Sequence, residues 1–580
     1  MSALGDIANV RGAACRPASS LIGLVLAGFA APVFAQPAAP ITVTPQTLAP
    51  EHRDNGFRVE IPETGALHPP VGAENLSVTL GDVQVAGGFA EVADQTAAIV
   101  AHLKGQRVSL KDIYAAASEI EAIHARAGFV LARVSVPSQD LHDGGPLRIV
   151  VTDGFIEAVD VSGLPRRVRE PVRARVGSLQ GKRHLTLKQI EEPLMIASDV
   201  PGLTLRSTLM RGSQPGGTRL VLEGTQQLVT GSIGADNQLD PSLGTYGANA
   251  QVAFNSLLGL GEQIYGFASG GYDVSQWLGN TAPVQVFGGG MILPFAQGRF
   301  SFNPEATYSR TVPAPVSGAP QTVGLLRRLT MRGSYTLIRT RQQQGGLSLT
   351  VEQIDEKNAV PAFATFISHD RYMVARLGGS YADARPDGTS LGGSFQFSEG
   401  LGNLGALSVA DATANGIPFS RVGSSLNFSK LMAQARLSLT MGKAANLSVN
   451  VRGQSSFGAA VFRSEQFALE GPDGLSAYVG GVTAVDEGAV ARGELGTNWA
   501  LGKRGANMAP YVFVAGGVGR INVPTALEPN SITAGSAGVG ARINLGKLPL
   551  GFTIEYAHGF ADYAPLNKTD RVNVSTIFRF

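Results

Sequence analysis

The 580-residue chain has one cysteine, few charged residues and no long apolar run after its N-terminal region. A single cysteine excludes a disulfide framework and a cysteine-based metal site. Charged residues make up 16 % of the chain, against ~25 % in ordinary globular proteins. Because 47 basic residues balance 45 acidic ones, no basic excess indicates a nucleic-acid partner. The lack of an ~18-residue apolar run in the body of the chain excludes a helical membrane protein.

Glycine, by contrast, is abundant. The chain has 73 glycines, nearly twice the usual share of ~7 %. Its hydrophobic content of 44 % is sufficient for a large core. A long, glycine-rich and weakly charged chain favours a β-rich architecture.

Residues 1–35 have the pattern of a secretory signal peptide. Arg11 and Arg16 precede an apolar stretch at 21–31, and small residues lead to a cleavage site after Ala35. The apolar stretch is too short to span a bilayer, so an uncleaved anchor is the weaker interpretation. Cleavage would remove Cys15 and leave a mature chain without a thiol, which suits export through an oxidising compartment.

Residues 36–74 contain seven prolines. Because proline breaks regular helices, we predict a linker or loosely held extension there. This segment is also a candidate plug for a pore, although its prolines argue against a long plug helix.

Residues 75–225 predict two small α/β domains of similar design. The first, 75–154, has strand, helix, helix, strand, strand in that order, with elements at 75–80, 95–103, 109–127, 130–136 and 147–151. A capping box at Ser109 opens its second helix, and Gly128 ends it. The second, 155–225, repeats the order with elements at 156–161, 167–175, 186–198, 203–210 and 218–222.

The second domain carries a basic cluster. It consists of Arg166, Arg167, Arg169, Arg173, Arg175, Lys182 and Arg183. The simpler interpretation is a solvated basic face, and the alternative is a docking surface for an acidic or extended partner.

Residues 228–580 lose the helical period and alternate apolar or small residues with polar ones over about ten positions. Leu347, Leu349 and Val351, for example, alternate with polar neighbours. A soluble sandwich would show the same alternation, but the signal peptide, the segment length and the low charge favour a transmembrane antiparallel β-barrel. The region has room for about 16 strands, enough for an aqueous channel.

The last strand carries apolar side chains on one face and ends on Phe578 and Phe580. A terminal strand closed by phenylalanine resembles the signal by which outer-membrane barrels are recognised for assembly. An ordinary terminal strand is the weaker interpretation.

Two motifs make a family recognisable. Residues 128–139 (GFVLARVSVPSQ) and 145–154 (GPLRIVVTDG) match the end of a first POTRA domain, through Gly128, Pro137, Gln139 and Gly154. Residues 255–263 (NSLLGLGEQ) are similar to a segment found early in the barrel of the same proteins. The chain thus resembles the two-partner secretion transporters, the haemolysin/adhesin secretion-activation family of the POTRA-plus-barrel superfamily.

A third match is imperfect. Residues 467–478 align with the family's long loop that folds back into the barrel lumen, and the motif positions are Gly471, Asp473, Gly474, Ser476, Ala477 and Tyr478. The family's loop arginine falls on Ser476, and its aspartate partner, in an F-x-D segment beginning at Phe513, falls on Ala515. Losing both partners of a buried ion pair can be nearly neutral, whereas losing one is costly. Asp473, Glu470 and Arg492 remain candidates for a substitute contact.

The resemblance implies an outer-membrane pore, with POTRA domains in the periplasm, that captures and secretes a partner exoprotein. It implies as partners the unfolded exoprotein, outer-membrane lipid and the barrel-assembly machinery. A barrel-assembly or insertion factor and a passive solute porin are the alternatives. We expect no enzyme, cofactor or metal: the G-x-G-x-x-G at 400–405 lacks a strand-to-helix unit, and the eight histidines lack ligand spacing.

Overall fold

The computed structural model describes two α/β domains followed by a closed β-barrel. The residues that it describes are 59–60, 69–279, 281–315, 320–402, 404, 406, 416–442, 445–502, 505–526, 528–546, 548–563, 566 and 568–580. The predicted signal peptide and most of the predicted linker lie outside these residues. Among the described helices, none has the length and apolar character needed to cross a membrane.

The first domain contains the five predicted elements in their predicted order and two further short strands, at 82–86 and 107–109, one before each helix. A two-residue strand, β1 (Val59–Glu60), precedes β2 (Ser77–Thr79), β3 (Asp82–Ala86), α1 (Ala93–Leu103), β4 (Arg107–Ser109), α2 (Leu110–Arg126), β5 (Arg133–Ser135) and β6 (Pro146–Thr152). In its main sheet, β6 lies between a parallel β3 and an antiparallel β5. The predicted capping box is present, because the Ser109 hydroxyl accepts from the Asp112 N–H and the Asp112 carboxylate accepts from the Ser109 N–H. The helix packs Ile113 and Ile120, both fully buried, into the domain core.

One predicted strand of this domain is shorter than expected. The pattern predicted a strand at 130–136, but β5 covers only 133–135. The Ala132 N–H donates to the Phe129 carbonyl (3.1 Å), and the Arg133 guanidinium donates to the Val130 carbonyl (2.9 Å). A local turn therefore takes the backbone groups that the first half of the strand would have paired.

The second domain repeats the design. It consists of β7 (Phe155–Gly163), α3 (Arg166–Val176), α4 (Leu187–Ser198), β8 (Leu203–Arg211) and β9 (Gly217–Gln226). Its last strand, β9, again lies centrally, parallel to β7 and antiparallel to β8. The other edge of β8 is occupied by β1, which pairs with it in parallel. A short segment of the predicted linker thus adds a fourth strand to this sheet.

The remaining strands close into a barrel. They are β10 (Val229–Asp236), β11 (Gly247–Asn255), β12 (Gln263–Gly271), β13 (Val284–Phe295), β14 (Phe300–Thr311), β15 (Val323–Arg339), β16 (Gln343–Val360), β17 (Thr365–Ala384), β18 (Ser390–Gly400), β19 (Ser429–Met441), β20 (Ala445–Ser455), β23 (Glu487–Thr497), β24 (Trp499–Leu501), β25 (Ala506–Arg520), β26 (Ser531–Asn544), β27 (Leu550–Ala561) and β28 (Thr569–Arg579), while β21 (Phe467–Ala468) and β22 (Ala484–Val485) form a separate hairpin. Since β24 continues β23 along the same partner, β25, the barrel has 16 strands, joined antiparallel. The predicted fold class is confirmed.

The barrel wall has an apolar outer face and a polar inner face. On β25, Val512, Val514 and Val518 are each more than half exposed, whereas the alternating residues Tyr511, Phe513 and Ala515 are buried. Polar and charged side chains cover the inner face, among them Glu305, Arg328, Glu352, Arg376, Lys430, Asn450, Arg492 and Glu555. This is the alternation of a membrane barrel, with apolar side chains toward lipid and polar ones toward the lumen.

The second domain docks on the rim of the barrel where β10 begins, the domain-side rim. Three arginines at this rim, in the short turns or at a strand end, pair with acidic residues of α4 and its C-terminal end: Arg339 with Asp199 (2.7 Å), Arg341 with Glu191 (2.7 Å) and Arg299 with Glu192 (2.9 Å). The opposite rim, the far rim, carries the longer connections.

The basic cluster is not one uniform solvated face. Arg175 is buried and donates to the Pro171 carbonyl (2.8 Å). Gly261 and Gly298 of the domain-side rim pack against it so closely that a methyl group on either would lie within 3.3 Å of the guanidinium. Burial lowers the pKa of Arg175 to about 10, while Asp199 opposes the shift. This arginine therefore belongs to the contact between the second domain and the barrel.

Candidate functional site

The candidate site is the connection between β20 and β23, residues 456–486, which we call the return loop. It begins at the far rim and folds back against the polar inner face of the wall. The hairpin of β21 and β22 forms its stem, and residues 469–482 form its tip. The tip contains all six predicted loop-motif positions.

The tip is packed against β26 and β27. The Ala477 N–H donates to the Ser536 hydroxyl (3.3 Å), and the Tyr478 hydroxyl donates to the Gly535 carbonyl (3.3 Å). Gly559 makes room for this contact, because a methyl group there would lie 2.9 Å from the Ala477 side chain. Ala477 and Tyr478 are consequently buried. The structure thus places both predicted residues at the contact with the wall.

The position of the family's loop arginine is anchored by an arginine of the wall. Arg492 of β23 donates to the Ser476 hydroxyl (2.9 Å) and pairs with Glu555 of β27 (2.5 Å). Its guanidinium lies 3.6 Å from the centroid of the Phe513 ring, a cation–π geometry. Ala515 stands directly opposite Arg492 in the pairing of β23 with β25. A positive charge therefore lies beside position 476, but Arg492 of β23 supplies it instead of the loop. Its acidic partner is Glu555 of β27 instead of residue 515.

The other two candidates for the substitute contact play different parts. The Asp473 side chain is largely exposed and lies 3.8 Å from Arg436. The Glu470 carboxylate binds within the loop, where it accepts hydrogen bonds from the Gly481 N–H and the Thr483 hydroxyl. Gly471 has φ +111°, a conformation that favours glycine. Of the three candidates, Arg492 makes the contact at position 476.

A second anchor holds the base of the loop. The Glu465 carboxylate is buried and pairs with Arg376 (2.6 Å) and Lys430 (2.6 Å), and it accepts from the Tyr372 hydroxyl (2.9 Å). The Phe462 ring stacks on Tyr372 with centroids 4.5 Å apart. Burial alone would raise the pKa of Glu465, but the two cations hold it well below its usual range. Glu465 is therefore ionised and fixes the loop to β17 and β19.

A third anchor closes the loop at its other end. Asp486 accepts from the Val461 N–H (3.1 Å) and the Asn522 N–H (2.7 Å), and pairs with Arg421 (3.2 Å). Burial raises the pKa of Asp486, and Arg421 opposes the shift. Asp486 thereby joins the two ends of the return loop to each other and to the two connections that carry Arg421 and Asn522.

The sequence did not point to the anchors at 465 and 486. Glu465 meets Arg376 across 89 residues and Lys430 across 35. A separation of that size leaves no local pattern. The sequence does show which positions of each strand face inward, because inward and outward residues alternate. A charged residue at an inward position of a membrane barrel needs a partner, so it marks a candidate anchor.

The POTRA motif glycines lie at the junction of the two α/β domains. Gly128 follows α2 with φ +97°, and its carbonyl accepts from the Leu187 N–H of α4 (2.7 Å). Gly154 joins β6 to β7, and a methyl group there would lie 2.0 Å from the Leu131 carbonyl oxygen. Both positions thus require glycine, one for its φ and one for close approach.

Gln139 stands in for a missing strand partner. Its side-chain amide donates to the Arg148 carbonyl (2.8 Å) and accepts from the Arg148 N–H (2.8 Å). The same amide nitrogen lies 3.2 Å from the Pro137 carbonyl. Pro137 has no N–H to donate to a neighbouring strand. The Gln139 side chain therefore bonds the backbone of Arg148 in β6 beyond the end of β5.

Phe578 and Phe580 lie where the last strand meets the first. Gly231 and Phe580 exchange two backbone hydrogen bonds (2.9 and 3.0 Å), which extend the pairing of β10 with β28. Both rings are exposed on the outer face, with centroids 6.1 Å apart. Their role as an assembly signal stays a prediction.

Known proteins share this architecture. The family model of haemolysin secretion/activation proteins (ShlB/FhaC/HecB) matches residues 216–543, more than half of the 580-residue chain. The chain belongs to this family. The ShlB-type POTRA model matches residues 78–154, so the first α/β domain of this family member is a POTRA domain.

Curated relatives of this haemolysin secretion/activation protein include outer-membrane transporters. The outer membrane transporter CdiB of Escherichia coli is 27 % identical over 260 residues, which are 44 % of this chain and 39 % of that protein. The heme/hemopexin transporter protein HuxB of Haemophilus influenzae (strain 86-028NP) is 23 % identical over 175 residues, or 30 % of this chain and 31 % of that protein. The match thus spans about two fifths of the CdiB relative.

Solved structures share the fold over most of the chain. CdiB from Escherichia coli superposes with a TM-score of 0.66 at 18 % identity, covering 89 % of this chain and 94 % of that one. CdiB from Acinetobacter baumannii gives 0.58 at 15 % identity, covering 92 % and 95 %. These structures show that the fold is shared. The family, its POTRA domain and its outer-membrane transporter relatives confirm the predicted outer-membrane location, with the POTRA domain in the periplasm. The domain-side rim is accordingly the periplasmic rim.

Proposed function

We propose that this chain is a pore that captures a secreted partner exoprotein in the periplasm and conducts it across the outer membrane. The observation that carries the proposal is the return loop. It lies against the polar face of a closed 16-strand barrel and is held by side-chain anchors at Ser476, Glu465 and Asp486. A loop held by side chains can leave the lumen without opening the barrel wall.

The edge of β8 is the proposed capture surface. Small α/β domains bind extended chains by adding a strand to a sheet edge, which reads backbone more than side chains. Here β1 occupies that edge, pairing Val59 with Ser207 and Glu60 with Thr208. Two of the residues that the structure describes here pair with β8, and a longer segment of the exoprotein would gain more ladder hydrogen bonds and displace β1.

The lumen suits passage of an unfolded chain. Its Ser, Thr, Asn and charged side chains offer exchangeable hydrogen bonds and few apolar contacts. ATP is absent from the periplasm, so folding of the exoprotein outside the cell would supply direction. We propose no catalytic reaction and no cofactor. The remaining partners in the proposal are outer-membrane lipid and the barrel-assembly machinery, which would read Phe578 and Phe580.

The first test is co-expression with a candidate exoprotein, with and without residues 75–225 of this chain, and a neighbouring gene for a large signal-bearing exoprotein would supply that candidate. We expect the deletion to abolish secretion while the barrel still reaches the outer membrane. Undiminished secretion would refute capture by these domains. Small-solute permeability that is equal with and without the deletion, with no exoprotein secretion by the full chain, would favour the porin alternative.

A disulfide between β1 and β8 gives a sharper test. In a Cys15→Ser background the chain has no other cysteine, so Val59→Cys with Ser207→Cys would tie β1 to its partner. We expect secretion to stop when the pair is oxidised and to return with a reductant. Each single cysteine variant is the control, and equal secretion by the oxidised and reduced forms would exclude this edge.

A further inference from the structure

The turn between β11 and β12 presents three leucines to its surroundings. Residues 256–262 lie at the periplasmic rim, and Leu257, Leu258 and Leu260 are 39 %, 64 % and 58 % exposed. Single exposed apolar residues are common on proteins, but a cluster on one short turn indicates an interaction site.

The turn holds these leucines in a fixed arrangement. The fully buried Glu262 carboxylate accepts from the Leu258 N–H (2.7 Å) and the Leu260 N–H (3.0 Å). The Ser256 N–H donates to the Glu262 carbonyl (2.7 Å), which closes the turn. Gly259 adopts φ +76° within it. The turn therefore directs the leucines outward by its own hydrogen bonds.

The leucines continue the lipid-facing surface of the barrel. Phe254, two residues before the turn, is exposed on the outer face of β11. It pairs with Val229 of β10 on one side and with Ile264 of β12 on the other. Aromatic and aliphatic side chains at this level mark the interface of a membrane barrel. The apolar surface thus runs from the wall onto the turn.

Helix α3 of the second domain packs on the same turn. A methyl group on Gly259 would lie 3.6 Å from the Arg167 carbonyl, and one on Gly261 would lie 3.1 Å from Pro171. Two arginines, Arg166 and Arg167, open this helix with exposed side chains. Cations in the first turn oppose the helix dipole, so they do not serve the stability of the helix.

These two arginines differ from the other arginines of the basic cluster. Arg169 donates to the Leu164 and Ser162 carbonyls, and Arg173 pairs with Glu170. Within the described part of the chain, Arg166 and Arg167 form no ion pair within 4.0 Å. Two exposed guanidinium groups beside an apolar turn match a phospholipid surface, which offers phosphates above acyl chains.

We propose that residues 256–262 together with Arg166 and Arg167 form a lipid foot that seats the second domain on the periplasmic leaflet of the outer membrane. The leucines enter the boundary between headgroups and acyl chains, and the arginines bind headgroup phosphates. This inference uses the outer-membrane location alone, and it is tested without any exoprotein, so its failure is separate from a failure of the secretion proposal.

The position of the turn can be measured with one spin label on the full-length chain. In the Cys15→Ser background, Leu258→Cys carries the label in vesicles of phosphatidylethanolamine and phosphatidylglycerol. We expect more collisions with oxygen, which enters the bilayer, than with a water-soluble nickel chelate. A label at Leu349, on the outer face of β16, is the lipid reference, and one at Met210, exposed on β8, is the aqueous reference.

The outcomes separate the membrane from other occupants. A Leu258 label that behaves like the Leu349 label supports the foot. One that behaves like the Met210 label refutes it, and so does a label that neither oxygen nor nickel reaches, because that label would be buried against protein. Heat-modifiable migration on gels checks that every variant forms its barrel.

The arginines are tested by neutralisation. In the Leu258-labelled chain, Arg166→Gln with Arg167→Gln should lower the oxygen-to-nickel collision ratio in vesicles that contain phosphatidylglycerol. Arg173→Gln on the same helix is the matched control and should leave the ratio unchanged, because Arg173 pairs with Glu170. An equal ratio in all three chains would refute phosphate binding by Arg166 and Arg167.

Discussion

Neutralising Glu465 should release the base of the return loop. In Glu465→Gln, Lys430 loses the carboxylate that lies 2.6 Å from its ammonium group. Arg376 retains a second carboxylate, because Glu352 lies 2.7 Å from it. The main consequence is therefore a buried Lys430 that has lost its ion-pair partner while the loop stays in place.

The size of the effect follows from the burial of that charge. Removing one partner of a buried ion pair costs ~3–5 kcal/mol. Since Glu352 still balances Arg376, we expect the lower end, about 3 kcal/mol. Movement of the loop would hydrate Lys430 and relieve this cost. At ~1.4 kcal/mol per factor of ten, the released state gains roughly 100-fold in population.

Two assays report the release. Purified protein in planar bilayers should show higher ionic conductance and longer open periods than the native chain, and the loop in vesicles should be cleaved faster by added protease. Glu399→Gln is the matched control. The Glu399 carboxylate accepts from the neutral Ser429 hydroxyl, so its neutralisation does not remove the partner of a buried cation. Adding Lys430→Met to Glu465→Gln should restore most of the native behaviour, because it replaces the unpaired lysine with an uncharged side chain of similar volume.

Two results would refute this reasoning. If Glu465→Gln conducts and resists protease as the native chain does, the ion cluster does not hold the loop. If the double variant with Lys430→Met is as open as the single one, the stranded lysine is not the cause.

Two further predictions concern the loop tip and the domain junction. Ser476→Arg should lower the temperature at which the folded barrel unfolds on heat-shift gels, because it places a second guanidinium beside Arg492. Adding Ala515→Asp should recover part of the loss, and equal behaviour of both variants would count against the pairing. Gly154→Ala should lower the free energy of unfolding of the α/β domains by ~1–3 kcal/mol in denaturant titrations. Its methyl group would lie 2.0 Å from the Leu131 carbonyl oxygen. Gly177→Ala, with open space around it, should change stability by less than ~0.5 kcal/mol, and a similar loss in both would contradict the steric argument.

Local patterns were sufficient where neighbouring residues decide the structure. The capping box at Ser109 and Asp112 is present because both partners lie within one helical turn. The outward position of Val512 and Val514 follows from the two-residue repeat of a strand. Those rules need no knowledge of distant parts of the chain.

Local patterns failed where distant residues compete. The strand predicted at 130–136 was cut to β5, because a turn around Phe129 and the Gln139 amide take over its hydrogen bonds. The motif alignment showed only that the family's arginine is absent at Ser476 and its aspartate at Ala515. That Arg492 and Glu555 replace the pair depended on which strands are neighbours in the closed barrel.

The sequence by itself determined a glycine-rich chain with two α/β repeats and a barrel, because periodicity and caps act over a few residues. Only the tertiary structure decided what holds the return loop and where β1 lies. Glu465 reaches Lys430 and Arg376 only after the barrel has brought their strands side by side. A buried charge selects its partner by distance in space, and a one-dimensional pattern does not contain that distance.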